Sequence, residues 1–198
     1  MEQIARALER RGFAVSCFET AAEARTYLLQ ALEGVGSVGI GGSVSVQQLD
    51  VVDTLLSRGT AVHWHWLPSD GGEDPRRLAL FADAYLCAPN AVTEDGKLLF
   101  IDGNGNRVAA VSYGPKKVYL ICGANKLAGD DADALRRAKE QAAAPNARRL
   151  GVKTPCSVTD KCADCLYSGR LCRAVLTLEH CPGSHPVEVL LVNETLGY

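Results

Sequence analysis

Hydrophobic positions recur at both helical and strand spacing along the chain, which predicts an α/β fold. Ile4, Ala7 and Leu8 fall on one helical face, so a first helix is expected near the N-terminus. Thr20, followed three positions later by Glu23, is a capping-box pattern and predicts the start of a second helix. Strands are predicted at 13–18, 37–40, 61–66, 84–87, 97–101, 108–111, 118–122, 174–178 and 187–192, and further helices at 46–58, 77–82 and 130–150, the last in two pieces that meet near 144–145.

The stretch 93–126 is predicted to hold three of these strands. The turn-rich residues 102–106 separate two short apolar runs, a pattern typical of a β-hairpin. Residues 118–122 are continuously apolar, as expected of a strand that is covered on both faces. This strand ends at the polar residues Asn125 and Lys126. Open α/β sheets bind ligands at the carboxyl ends of their strands, so a site is expected there.

Length and composition indicate one domain. A chain of 198 residues with 47% hydrophobic residues and a net charge of −2 can bury a single substantial core. We therefore expect an α/β domain over residues 1–198, with a mostly parallel sheet flanked by helices. Residues 1–36 would form its N-terminal helix-strand-helix part, and residues 153–182 a cysteine-rich, metal-binding excursion.

Charge and hydropathy exclude several classes of function. The chain has no basic excess and no clusters of aromatic and arginine residues, which argues against nucleic-acid binding. No apolar run is long enough to span a membrane, and the charged, amphipathic N-terminus is unlike a signal peptide. A cytoplasmic location is expected. The eight cysteines would then lie in a reducing compartment, where thiols serve more often as metal ligands, catalytic groups or core residues than as disulfides.

A glycine and serine loop follows the strand at 37–40. Gly41 and Gly42 would let main-chain N–H groups approach an anion, and Ser43 and Ser45 could donate hydroxyl hydrogen bonds at the start of the next helix. The loop lacks the full spacing of a dinucleotide or nucleotide-binding fingerprint. The alternative is that the glycines only form a tight turn and that one of the serines caps the helix.

Cations near the predicted strand ends suggest a carboxylate or phosphate ligand. Arg107 is the first candidate for binding an oxyanion and Lys126 the second. Asp95 followed by glycine is also ordinary turn chemistry, and no catalytic base is visible beside the two cations. The full predicted set of substrate-binding residues is Gly41, Gly42, Ser43, Ser45, Asp95, Asn106, Arg107, Asn125 and Lys126.

Four cysteines lie close together near the C-terminus, in the spacing C-x5-C-x2-C-x6-C. The C-x-x-C pair lets two thiolates reach one metal centre, and the flanking loops are long enough to bring the other two around it. A [4Fe-4S] cluster is the leading interpretation, although the spacing differs from the ferredoxin run; structural zinc and redox-active thiols are the alternatives. The predicted ligands are Cys156, Cys162, Cys165 and Cys172, whereas the roles of Cys17, Cys122 and Cys181 are left open.

Two histidines alternate along the predicted strand at 61–66. His63 and His65 would share one face of that strand and could contribute to a metal site only with a third ligand. The simpler interpretation is a pair of half-buried histidines bonded to their neighbours. The polar, glycine-rich loop at 68–75 could cover a site or serve as a plain connection.

Several polar blocks occur in a fixed order that resembles the lactate-utilisation (LUD) domain family. They are GIGGSVS at 39–45, TEDG at 93–96, DGNGNRVA at 102–109, GP at 114–115 and GANK at 123–126. The resemblance implies a fold like that of sugar-phosphate isomerases and CoA transferases, and a link to the oxidation of lactate or related hydroxy acids. It does not require an iron-sulfur cluster in this chain.

The leading functional expectation is a subunit of a hydroxy-acid oxidation system, an oxidoreductase that binds a small anionic metabolite and passes electrons through its cluster to redox partner proteins. One alternative is a non-redox isomerase or acyl transferase of the same fold with structural zinc. Another is a non-catalytic scaffold that senses metal or redox state. Homo-oligomer formation is left open.

Overall fold

A six-stranded, fully parallel sheet forms the centre of the computed structural model, which describes residues 1–68 and 71–198. Residues 69 and 70 of the predicted loop at 68–75 lie outside the described residues. From one edge to the other the strands are β1 (Ala14–Phe18), β10 (Val187–Val192), β7 (Lys117–Gly123), β4 (Ala84–Cys87), β2 (Ser37–Ile40) and β3 (Ala61–Trp64).

A second sheet of four short strands stands beside the first. Its order is β8 (Leu127–Ala128), β5 (Ala91–Thr93), β6 (Leu98–Asp102) and β9 (Ala174–Leu178). The pairs β5–β6 and β6–β9 are antiparallel, whereas β5 and β8 are parallel. Since β8 follows β7 through the 3-10 turn Ala124–Lys126, the two sheets meet near the carboxyl end of β7.

Helices cover both faces of the central sheet and lead into the second one. They are α1 (Glu2–Arg10), α2 (Ala21–Ala31), α3 (Val44–Gln48), α4 (Val52–Ser57), α5 (Pro75–Ala79), α6 (Asn106–Ser112), α7 (Asp131–Arg137), α8 (Ala144–Arg149) and α9 (Pro155–Thr159), with a π-helical stretch, Ala138–Ala143, between α7 and α8. The predicted fold class, a single α/β domain with a mostly parallel sheet flanked by helices, is confirmed. None of the helices in residues 1–68 and 71–198 is both long and apolar enough to span a bilayer.

Successive residues of the central strands enter opposite hydrophobic clusters. On β7, Leu120 packs with Leu8 and Phe100 on one face, whereas its neighbour Ile121 packs with Leu28 on the other. A strand buried on both faces needs a continuous apolar sequence, which explains the uninterrupted run at 118–122. A smaller cluster fills the space between the second sheet and α7.

The predicted strand at 108–111 is wrong, because these residues belong to helix α6. Gly105, at φ +84°, reverses the chain immediately before the helix. The Asp102 carboxylate then accepts hydrogen bonds from the main-chain N–H groups of Arg107 (2.7 Å) and Val108 (3.3 Å), which fixes the first helical turn. The predicted hairpin is therefore wrong as well; the antiparallel neighbours of β6 are β5 and β9.

The predicted helix at 46–58 and strand at 61–66 also need correction. The helix is divided into α3 and α4, with Asp50 at φ +51° between them. The strand ends at Trp64, and His65 lies in a turn. His63 and His65 therefore do not share a strand face. The expected capping box of α2 is confirmed, with the Thr20 and Glu23 side chains and main chain bonded reciprocally.

Candidate functional site

A cavity of about 450 Å³ opens at the carboxyl ends of β2, β4 and β7. We call it the large cavity. This is the position at which parallel α/β sheets bind ligands, because loops from neighbouring strands converge there. Six residues of the predicted substrate-binding set line it: Gly42, Ser43, Ser45, Asn106, Arg107 and Lys126.

Three predicted site residues lie elsewhere. Asp95 is in the turn between β5 and β6, where its carboxylate pairs with Arg11 at 2.6 Å. Asn125 bonds to the main chain of Leu196 and Gly197 and so holds the C-terminal residues against the end of β7. Gly41 lies just outside the lining.

Gly41 gives the Arg107 side chain room to cross the sheet end. A Cβ at Gly41 would lie 2.8 Å from both Arg107 Cγ and Tyr85 Oη, closer than such atoms approach. Ser43 accepts a hydrogen bond from the N–H of Val46, and Ser45 donates to the carbonyl of Leu196. Ser43 therefore caps α3, as one interpretation of this loop predicted.

Arg107 binds mainly to the protein itself. Its Nη1 donates to the carbonyl of Ala88 at 3.1 Å, and its Nη2 donates to Asn90 Oδ1 at 3.3 Å and to the carbonyl of Ile101. Its Nε lies 4.0 Å from Asp102 Oδ1. These contacts connect the segment after β4 to the end of β6, and they use most of the guanidinium's donors.

Lys126 is buried at the wall of the large cavity, with a residue exposure of 3%. Its ammonium donates to the carbonyl of Pro89 at 3.3 Å and to the main-chain oxygen of Tyr198 at 3.1 Å. The pKa of Lys126 is lowered to about 8, mainly by burial, and the nearby cations Arg137 and Arg107 contribute in the same direction. A carboxylate ligand would favour the charged form of this amine.

Four residues at the large cavity are outside the predicted substrate-binding set, although the sequence makes His65 a candidate metal ligand. His65 and Trp66 lie in the turn after β3, Arg76 in α5 and Arg149 at the end of α8. Burial, followed by the charge of Arg76, lowers the pKa of His65, which favours the neutral imidazole. The Nδ1 atom of His65 is buried and has no hydrogen-bond partner within the described residues.

A second, smaller cavity of about 30 Å³ is lined by the four predicted metal ligands, Cys156, Cys162, Cys165 and Cys172. We call it the thiol cavity. All eight cysteines of the chain are free thiols. Burial and the neighbouring thiols of Cys156 and Cys162 raise the pKa of Cys172.

The thiol cavity contains no preformed metal geometry. Within residues 1–68 and 71–198, no group of three or more His, Cys, Asp or Glu side chains is arranged to hold a metal ion as it stands. The thiol cavity and the large cavity nevertheless share two wall residues, Ala143 and Leu171. The cysteines thus lie directly behind one side of the large cavity.

The fold and the large cavity define an α/β domain with a ligand site at the carboxyl end of its sheet. The chain matches the LUD domain over residues 1–192 and belongs to that family, so it is a lactate-utilisation-type protein. A solved structure of a DUF162 family protein from Deinococcus radiodurans is similar, with a TM-score of 0.57 and 16% identity over 96% of this chain and 94% of that one. No curated protein matches the chain.

Proposed function

We propose that this protein binds a 2-hydroxy carboxylate in the large cavity and takes part in its oxidation as one subunit of a larger system, with a [4Fe-4S] cluster held by the four clustered cysteines. The observation that carries the proposal is the wall shared by the two cavities, formed by Ala143 and Leu171. A substrate in the large cavity would then be separated from the thiols only by this wall.

The large cavity suits a carboxylate. Lys126 is buried at its wall and is bonded to main-chain oxygens rather than to an acidic side chain. A cation in such a place gains more from an incoming anion than a solvated one does, since water screens the pair less. Asp102 also lines the cavity, but its oxygens already accept from the N–H groups of Gly103 and Arg107.

The donor set of the thiol cavity suits an iron-sulfur cluster. Thiolates are the usual ligands of [4Fe-4S] clusters, and Lys139 and Arg170 line the same cavity, where their charge would offset that of the thiolates. Arg170 also donates to the carbonyls of Cys165 and Cys172, so it holds the loop between them in shape. A cluster bound here would supply one-electron transfer.

The proposed reaction needs a redox partner protein. Oxidation of a 2-hydroxy acid to a 2-oxo acid releases two electrons and two protons, and one cluster accepts electrons singly. Val158 and Leu166 lie in the cysteine-rich part of the chain and are 83% and 97% exposed. Exposed apolar side chains of this kind are typical of protein contact surfaces, which suits a partner that docks beside the cysteines.

A second candidate function rests on the size of the thiol cavity. Its volume of about 30 Å³ is close to that of a single water molecule in the liquid, so it accommodates one ion more easily than a cluster. Four cysteines around one ion are a structural zinc site. The protein would then be a non-redox isomerase or acyl transferase whose chemistry lies wholly in the large cavity.

The deciding experiment is an analysis of iron, acid-labile sulfide and zinc on protein purified without oxygen, together with an absorption spectrum. The proposal expects about four irons and four sulfides per chain, lost in the variant Cys162→Ser/Cys165→Ser. Cys17→Ser is the matched control, because Cys17 is an exposed thiol on β1, outside the thiol cavity. Zinc without visible absorbance would reject the cluster and support the second candidate.

A further inference from the structure

The size of the large cavity exceeds what lactate needs. Its volume of about 450 Å³ equals that of roughly fifteen water molecules at ~30 Å³ each. Lactate has only about half a dozen non-hydrogen atoms, whereas cavities of this volume usually enclose larger ligands. A single small hydroxy acid would leave most of the space to water.

The cations of the large cavity fall into two kinds. Arg76 pairs with Asp74 at 2.9 Å, and Arg107 is taken up by main-chain oxygens and Asp102. Lys126 and Arg149 form no ion pair with an acidic side chain in residues 1–68 and 71–198. Lys126 uses two of its three ammonium hydrogens on the main-chain oxygens of Pro89 and Tyr198, so one is left for a ligand. Lys126 and Arg149 come from different elements.

Arg149 is held in a fixed orientation although it has no acidic partner. Its guanidinium carbon lies 4.7 Å from the centre of the Trp66 ring, a cation–π contact. Its Nε and Nη2 both donate to Asn146 Oδ1, at 3.2 and 2.8 Å. Stacking and these bonds leave Nη1 and part of Nη2 free, which is the arrangement in which arginine binds a phosphate or carboxylate.

We propose that Arg149, placed by Trp66 and Asn146, binds a second anionic group of the ligand, and that the natural ligand is a hydroxy acid that also carries a phosphate. The carboxylate would lie near Lys126 and the phosphate near Arg149. This inference rests on the proposed binding of a hydroxy acid in the large cavity, and it adds the phosphate and the residue that recognises it.

A matched pair of ligands tests the inference by isothermal titration calorimetry. Glycerate and 3-phosphoglycerate are both 2-hydroxy acids and differ only by the phosphate. The wild-type protein is expected to bind 3-phosphoglycerate at least tenfold more tightly than glycerate. Both Arg149→Lys, which loses the planar fork, and Trp66→Leu, which removes its support, should abolish most of that advantage, measured in each variant as the ratio of the two affinities.

Arg148→Lys is the matched control variant. Arg148 precedes Arg149 in α8 but pairs with Asp160 on the surface and does not line the large cavity. This variant should keep the full phosphate advantage. A circular-dichroism melt of each variant shows whether the fold is intact before the titrations are compared.

Three results would overturn the inference: equal affinities for the two ligands, a phosphate advantage that survives in Arg149→Lys, or inorganic phosphate that binds as tightly as 3-phosphoglycerate. The last result would mean that the phosphate does not belong to the hydroxy acid. The glycerate titration separates this inference from the proposed function. If the three hydroxy acids bind without a phosphate advantage, only the inference fails, whereas if lactate, glycerate and 3-phosphoglycerate all fail to bind, the proposed function fails too.

Discussion

At the scale of single residues, Arg107 lines the ligand cavity but uses most of its hydrogen bonds to stabilise the fold. Its guanidinium bonds to the carbonyls of Ala88 and Ile101 and to the side chain of Asn90. Ala88 and Ile101 are buried and Asn90 is half-buried. Buried main-chain oxygens that lose their donors are costly, so Arg107 belongs to the folding of the site.

We predict that Arg107→Met lowers the free energy of unfolding by about 3 kcal/mol, because it leaves several carbonyl groups and the Asp102 carboxylate without their cation. Urea denaturation measures this. Arg6→Met, at an exposed position of α1, should change stability by less than about 0.5 kcal/mol. If Arg107→Met keeps the stability of the wild type but loses hydroxy-acid binding, Arg107 is a ligand-binding cation instead.

Gly41 provides a second prediction at this scale. Gly41→Ala would place a methyl group 2.8 Å from Arg107 Cγ and Tyr85 Oη; Tyr85 is buried and Arg107 is half-buried. We expect a loss of about 2 kcal/mol in the free energy of unfolding from overpacking, measured by urea denaturation. Gly183→Ala is the control, since no atom lies within 4 Å of its added Cβ. A stable Gly41→Ala variant would mean that the Arg107 side chain moves aside at little cost.

At the scale of elements, Glu188 joins four of them. Its carboxylate on β10 accepts from Ser16 on β1 and Tyr27 on α2, and it pairs with Lys117 on β7 at 2.9 Å. Burial alone would raise the pKa of Glu188, but the hydrogen bonds from Tyr27, Lys117 and Ser16 outweigh burial and hold it below its usual value. The charged form therefore stabilises the packing of α2 on the sheet.

The pH dependence of stability follows from this lowered pKa. Since the folded pKa of Glu188 lies below the unfolded value of about 4.3, its contribution is complete above that value and is lost as pH falls through the folded pKa. We predict that Glu188→Gln costs about 2 kcal/mol at pH 7 and that this cost shrinks as pH falls below about 4. Urea titrations at several pH values test this, with the exposed Glu33→Gln as control. A cost that does not depend on pH would contradict it.

Elements with local signals were predictable from the sequence. The capping box of α2 and the continuous apolar run of β7 each depend only on residues close together in the sequence, and both are confirmed. Helix α6 was not predictable, because its short apolar run fits a strand equally well and its start depends on the Asp102 carboxylate and the reversal at Gly105. A side-chain cap and a glycine reversal of this kind produce no periodic pattern of hydrophobic residues in the sequence.

The large cavity was predictable only in part for the same reason. Lys126 follows β7 of the parallel sheet, so its place at the ligand edge could be expected. Arg107 follows β6 of the second sheet, whose antiparallel pairing does not predict that it reaches the same edge. Arg149 and Trp66 come from a helix end and a turn, and they meet each other across the fold with a contact of 4.7 Å. A pairing of an isolated arginine with an isolated tryptophan has no signal in one sequence.

At the scale of the whole molecule, the cysteine-rich segment contacts the large cavity in two ways. It contributes to the shared wall, and its main chain packs against a loop that lines the large cavity. The N–H of Arg173 donates to the carbonyl of Asp102 at 3.0 Å, and the carbonyl of Leu171 lies 3.1 Å from the position of a Cβ on Gly103. The loop between β6 and α6, which lines the large cavity, thus packs against the segment that carries Cys172. A structural change in the thiol cavity should therefore alter ligand affinity in the large cavity.

This packing predicts that metal loss weakens ligand binding. Cys162→Ser/Cys165→Ser would remove the proposed metal from the thiol cavity and with it the fixed position of Leu171 at the shared wall, so we expect hydroxy-acid affinity to fall about fivefold, a coupling of about 1 kcal/mol. Calorimetric titration of glycerate into metal-loaded wild type, the double variant and Cys17→Ser measures it, and Cys17→Ser should bind as the wild type does. Equal affinity in all three proteins would show that the two cavities act independently, and the shared wall would no longer support an electron-transfer role for the cysteines.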